Sequence, residues 1–226
     1  MADARSDILA RIREALQVKA PKPHFKSDDT AGQPVKVGKP WLPDGGETTE
    51  ASLVILAEQL AKLKAVLIRV PDDASAGSAV AELARGKGWK QVAYHGAPLV
   101  REVAGALPCS VWEADASFDK QKLEGCDAAI TSCEAIVAQL GSILVSSASS
   151  GGRALSILPH VHVVVARVDQ VLPDLATALA QVEAKHGGQM PSMLSFITGP
   201  SRTGDIERIL VLGAHGPKEL YLVLVG

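Results

Sequence analysis

The sequence predicts an α/β domain with a mostly parallel sheet, mixed at its C-terminal end, and helices on both faces. Three observations carry this reading. Apolar residues make up 47% of the 226-residue chain but aromatics only 4%, a mixture of Ala, Val, Leu and Gly that suits close packing of helices on a sheet. Short, continuous, valine-rich runs alternate with helical patterns, as in a parallel sheet covered on both faces. The last two apolar runs, 209–212 and 220–225, are joined by so short a connection that a hairpin is expected there.

The first element, residues 3–19, reads as an amphipathic helix. Ile8, Leu9, Ile12 and Leu16 form one stripe, Asp3 and Asp7 suit the positive end of the helix dipole, and Pro21 and Pro23 stop it. Residues 20–47 hold five prolines and four glycines with no apolar period, which predicts an extended linker. The division expected is therefore 1–47, helix and linker, and 48–226, the α/β domain.

Within that domain Leu53, Leu56, Leu60 and Leu63 mark one face of a helix over 48–64. Strands follow at 66–70, 91–94, 109–113 and 126–131, with helices at 75–85 and 98–107 between them. Residues 134–139 are expected to be helical and 142–146 a strand. The valine run 161–167 is a further strand. Residues 173–186 are a helix with Pro173 at its start and Gly187-Gly188 at its end. Strands at 195–198, 209–212 and 220–225 complete the chain.

Composition excludes several classes of function. A formal charge of −2 leaves no broad basic footprint for nucleic acid. No apolar run is long enough to span a bilayer. Residues 1–19 are charged throughout and lack the apolar core of a secretory signal, so a cytoplasmic protein is expected. Cys109, Cys126 and Cys133 are odd in number and fit no zinc or iron–sulfur spacing, so no metal is expected on them.

Ligands of open α/β sheets bind beyond the carboxyl ends of strands, which singles out two loops. The first follows the strand 142–146 and holds Ser146, Ser147, Gly151, Gly152 and Arg153. Its small residues let backbone amides approach an anion, and Arg153 can pair with a carboxylate or phosphate. It lacks the spacing of a P-loop. The second runs Thr198-Gly199-Pro200-Ser201-Arg202-Thr203-Gly204-Asp205 and joins tight-turn residues to hydroxyls, a guanidinium and a carboxylate. Both loops are expected to face one cavity. Asp205 and His215 are the candidates for proton handling, although each is equally readable as a cap or turn residue. His160 and His162 alternate at the start of a strand, and packing rather than metal binding is expected of them.

The segment from Phe196 to Glu207, with Leu210-Val211-Leu212-Gly213-Ala214-His215-Gly216-Pro217 after it, resembles the C-terminal signature of the lactate-utilisation protein C family, the LUD-domain or DUF162 group. Gly151-Gly152-Arg153, Leu158-Pro159 before the valine strand, and Val171-Leu172-Pro173 add to the likeness. The resemblance spans nearly the whole chain. It implies a fold of the NagB/RpiA/CoA-transferase-like kind, which 5-formyltetrahydrofolate cyclo-ligases share. It also implies a non-iron–sulfur part in oxidising L-lactate to pyruvate beside two iron–sulfur partner proteins that carry the clusters, with no cofactor on this chain. A small anionic ligand in the two loops fits that part. A stand-alone ligase, isomerase or transferase acting on a small carboxylated or phosphorylated substrate is the alternative, and activity of the isolated chain is left open. Where family members usually carry an acidic residue and then Ser or Thr before the glycine at Gly141, this chain has Gln139 and Leu140.

Overall fold

The computed structural model describes residues 4–17, 43–114, 119–187, 189–203 and 211–226. Two compact units divide between Leu42 and Pro43. In the first, α1 (Ala4–Gln17) is a single helix with Ile8, Leu9 and Ile12 exposed.

The second unit alternates helix and strand: α2 (Thr49–Leu63), β1 (Val66–Val70), α3 (Asp73–Lys87), β2 (Gln91–Tyr94), α4 (Pro98–Gly105), β3 (Ser110–Glu113), α5 (Lys120–Glu124) and β4 (Ala128–Thr131). Three short strands come next, with two short helices among them: β5 (Ala135–Val137), β6 (Ser142–Ser146), α6 (Ser147–Ser150), α7 (Ala154–Ile157) and β7 (Val161–Arg167). The chain closes with β8 (Val171–Leu172), α8 (Leu175–His186), β9 (Leu194–Ile197), β10 (Arg202–Thr203), β11 (Val211–Leu212) and β12 (Glu219–Val225).

Two sheets form the body. The six-stranded sheet, ordered β1-β12-β7-β4-β2-β3, is parallel throughout. The second, β8-β5-β6-β9, carries antiparallel pairs at β5–β6 and β6–β9 and a parallel pair at β5–β8. The α/β class holds, but the mixed pairing is not where the sequence suggested. β12 lies inside the parallel sheet between β1 and β7, and β11 forms no hairpin with it. Instead β11 pairs antiparallel with β10. The all-apolar run 220–225 is what a strand covered on both faces requires; a hairpin at the sheet's rim would leave one of its faces in water.

One further correction concerns the helix expected at 134–139. Ala135–Val137 is a strand, followed by a single 3₁₀ turn at Ala138–Leu140. A short apolar run carries no period of its own, and here pairing with β6 and β8 decides in favour of the β-branched residues' preference.

The layers follow from side-chain alternation. On one face of the parallel sheet Val161, Val163, Val165 and Val223 pack against Val80 and Ala84 of α3 and Val100 and Val103 of α4. On the other, Val164, Ala166, Leu222 and Leu224 meet Leu53, Leu56 and Leu60 of α2 and Ile136, Ile143 and Val145 of the second sheet. Each of those buried leucines contributes roughly 1.5–3 kcal/mol. The outer face of the second sheet is covered by Ala178 and Val182 of α8. Thr48 caps α2 through the Ala51 amide, and Lys64 ends it in the left-handed conformation. That cap leaves the Leu63 carbonyl outside the helix ladder, free to accept from another part of the chain.

Candidate functional site

The end of α2 is where the two glycine turns of the second sheet converge. Gly141, at φ +63°, precedes β6, and a Cβ there would lie 2.9 Å from Gln59 Cβ and 3.0 Å from Leu63 Cδ1. Gly199, at φ +87°, follows β9, and a Cβ there would lie 3.1 Å from the Leu63 carbonyl oxygen. Only glycine satisfies both the backbone angle and the space. The two turns are tied by Ser142 Oγ and Thr198 Oγ1 at 2.7 Å. The Arg202 guanidinium donates to the Leu63 carbonyl that the helix cap leaves open.

Ser201 joins the two C-terminal signatures. Its amide donates to the Pro217 carbonyl at 2.9 Å, its carbonyl accepts from the Gly213 amide at 3.0 Å, and its hydroxyl accepts from the His215 amide at 3.3 Å. The segments around Gly199 and Gly216 therefore form one structural unit. Beside it opens a cleft of about 350 Å³ lined by Arg153, Ser156 and Ile157, by Ser195 through Gly199, and by Ser201, Arg202, His215, Gly216 and Pro217. Arg153 and Ile157 stand exposed one helical turn apart, anchored by Leu155 and Ser156, which point inward. The charged or titratable side chains among the described lining residues are Arg153, Arg202 and His215; no carboxylate is among them.

The expected common cavity for both loops needs correction. In the β6–β9 register Ser146 faces Leu194 and Ile143 faces Ile197. The loop after β6 and the loop after β9 thus leave opposite ends of an antiparallel pair, in the second sheet and not the parallel one. Arg153 reaches the cleft only because the chain travels on through α6 and the Gly151-Gly152 turn. Thr198, Gly199, Ser201 and Arg202 line it too, whereas Pro200 and Thr203 do not. Asp205 lies outside the described residues.

Ser146 and Ser147 serve elsewhere. Ser146 is fully buried; its hydroxyl donates to Glu134 Oε1 at 2.5 Å and accepts from the Ala148 and Ser149 amides. Ser147 Oγ accepts from Ser192 at 3.1 Å. Glu134 is the charged centre that sequence reasoning missed. Lys185 Nζ lies 2.6 Å and His186 Nε2 3.5 Å from its second oxygen. Burial opposes its charge, but the Lys185 ammonium and the Ser146 hydroxyl outweigh that and hold the carboxyl below the usual range. The chain distance between β5 and the end of α8 hides this cluster from any local pattern. It clamps α8 to the second sheet and lines no part of the cleft.

Gln139 also has a structural role. It is buried, and its side-chain amide donates to the Pro43 carbonyl at 2.5 Å. A carboxylate could not make that bond, so the departure from the acidic residue is matched by a donor's task. Of the cysteines, Cys126 and Cys133 are buried, and burial pushes the Cys133 thiol up to about 12. No helix among the described residues is long and apolar enough to cross a membrane.

A second cleft, of about 430 Å³, lies at the start of α2, with Glu47 and Asp169 as its charged lining residues. Its sign disfavours an anion, whereas the lining of the Arg153–Arg202 cleft favours one.

Comparison with known proteins identifies the family and the fold. A family profile described as the LUD domain matches residues 53–225. A protein of Bacillus licheniformis named lactate utilization protein C is 32% identical over 120 residues, 50% of each chain. One of the same name from Geobacillus kaustophilus is 29% identical over 185 residues, 79% of this chain and 71% of that one. The match thus spans about half the length of the first of these relatives. A solved DUF162 family protein from Deinococcus radiodurans superposes with a TM-score of 0.64 at 23% identity, covering 80% of this chain and all of that one, a likeness of fold.

Proposed function

From the premise that this chain belongs to the LUD-domain family, we propose that it is the non-iron–sulfur component of a cytoplasmic lactate-utilisation system. That system oxidises L-lactate to pyruvate, with the clusters on two iron–sulfur partner proteins. The relatives named lactate utilization protein C support the system. The observation that carries the site is the sign of the cleft: Arg153, Arg202 and His215 face it beside Ser195, Thr198 and Ser201, and no described carboxylate opposes them. Such a lining binds a small anion by charge-assisted hydrogen bonds. His215, on the same lining, is the candidate for proton exchange with it.

Arg153 provides the cleanest test, because among the described residues its side chain makes no ion pair that folding would miss. Losing one charged hydrogen bond to a bound anion costs roughly 1.5–3 kcal/mol, about ten- to a hundredfold in affinity. In a strain lacking the chromosomal copy, Arg153→Ala is expected to slow growth on L-lactate while leaving growth on another carbon source and the melting temperature unchanged. Wild-type growth on lactate by that variant would remove the cleft from the function.

A further inference from the structure

Resting on the anion-binding reading of the cleft, we infer that its ligand is larger than lactate: a carboxylate or phosphate joined to an aromatic body that lies against Phe196. The first reason is size. At about 350 Å³ the cleft holds roughly twelve times the ~30 Å³ share of one water molecule, far more than a three-carbon acid fills. It falls at the lower end of the volumes, ~300–1,000 Å³, in which small-molecule ligands are held.

The second reason is the division of the lining. Ser201 and Arg202 stand at the start of β10, and His215, between β11 and β12, stands beside them. Arg202 commits a donor to the Leu63 carbonyl and, with five N–H groups in a fixed fork, has others to offer. Arg153 stands across on α7. The rest of the lining is mixed: Ser156, Ser195 and Thr198 are polar, while Ile157, Phe196, Ile197 and Pro217 are apolar, and of these Ile157 is 40% and Phe196 39% exposed. Isolated exposed apolar side chains need no explanation, but these two open onto one cleft whose charged groups are all basic. Phe196 belongs to none of the hydrophobic clusters of the core. A ligand of lactate's size held by the arginines would leave those two apolar side chains in water. An aryl group covers them, with the ring stacked or edge-on to Phe196.

Calorimetric titration of the full chain with two matched pairs tests this: L-lactate against L-3-phenyllactate, and inorganic phosphate against phenyl phosphate. Within each pair the anionic group is shared and only the aryl body differs. The expected result is that the aryl member binds roughly tenfold or more tightly. That ratio should collapse towards one in Phe196→Ala, while Arg153→Ala weakens both members. Equal affinities within both pairs, still dependent on Arg153, would overturn the aryl inference and leave the anion site standing. An aryl advantage that survives Phe196→Ala would overturn it as well, as adsorption elsewhere. Absence of Arg153-dependent binding by any of the four compounds would overturn both the inference and the site it rests on.

Discussion

Acidification from pH 6.5 to 4 is expected to cost the fold about 3 kcal/mol through one side chain, His162. This residue sits near the start of β7, opposite Ala129 on β4 and Leu220 on β12, and is fully buried. Its Nε2 lies 2.9 Å from Thr131 Oγ1, and its Nδ1 has no hydrogen-bond partner among the described residues. Burial disfavours the charged imidazolium and lowers its pKa to about 4 from the ordinary 6.5. The sign follows directly. Above pH 6.5 both folded and unfolded chains hold the ring neutral, and stability is complete. Between 6.5 and 4 only the unfolded chain takes up a proton, so stability falls as pH falls. Below 4 both are charged and the loss levels off. At about 1.4 kcal/mol per pH unit the whole interval amounts to ~3 kcal/mol. Glu134, whose carboxyl is held low, keeps its contribution above the ordinary carboxylate range and loses it only as pH falls through its folded value, so the window from 7 to 4.5 separates the histidine from it. Urea unfolding across that window should show a clearly shallower pH dependence for His162→Leu than for the unaltered chain. Equal slopes would place the acid sensitivity in other groups.

Gly141→Val is expected to destabilise the protein by about 2–5 kcal/mol, enough to unfold a marginal domain. A left-handed backbone costs a side-chain-bearing residue roughly 1–2 kcal/mol, and forcing atoms into a packed site about 1–3 more. Both apply: φ is +63°, and the new Cβ would meet Gln59 and Leu63 of α2 at 2.9 and 3.0 Å. Gly86→Ala is the contrast. That glycine lies in the exposed last turn of α3, at ordinary φ, with nothing within 4 Å of a new Cβ, and the change is expected to be neutral or stabilising by up to ~1 kcal/mol. Melting curves should separate the two, at roughly 2–4 °C per kcal/mol for a chain of this size. Equal melting temperatures would mean that α2 does not bear on the Gly141 turn. The consequence reaches the cleft, because the same helix end supports Gly199 and accepts from Arg202.

The strands of the parallel sheet were legible because they are covered on both faces, although β12 was expected in a hairpin and not inside that sheet. Val161–Arg167 and the run ending at Val225 carry no alternation to misread, and the helices between them have clear apolar faces. In the second sheet β6 and β9 were legible as strands but β5 and β8 were not, for the same physical reason inverted. Ala135–Val137 and Val171–Leu172 are too short to hold a period, and only their neighbours make them strands. The candidate site came out in part. Arg153 shares a cleft with Thr198, Gly199, Ser201 and Arg202, yet the argument from carboxyl ends of parallel strands does not place them there, since β6 and β9 are antiparallel. Ser146 was expected at the ligand; nothing near it in sequence announces that Glu134 draws its hydroxyl inward.

Chemical-shift mapping on the ¹⁵N-labelled full chain tests the central claim, an anion site between Arg153 and Arg202, most directly. Titration with L-lactate and with inorganic phosphate should move the amide resonances of Gly199, Ser201, Arg202 and Gly216 saturably, with those of Ser156 and Ile157 on the facing wall, and Arg153→Ala should weaken the response. Saturable shifts gathered instead around Gly46, Thr48 and Ser52 at the acidic cleft, or none at all, would contradict the account.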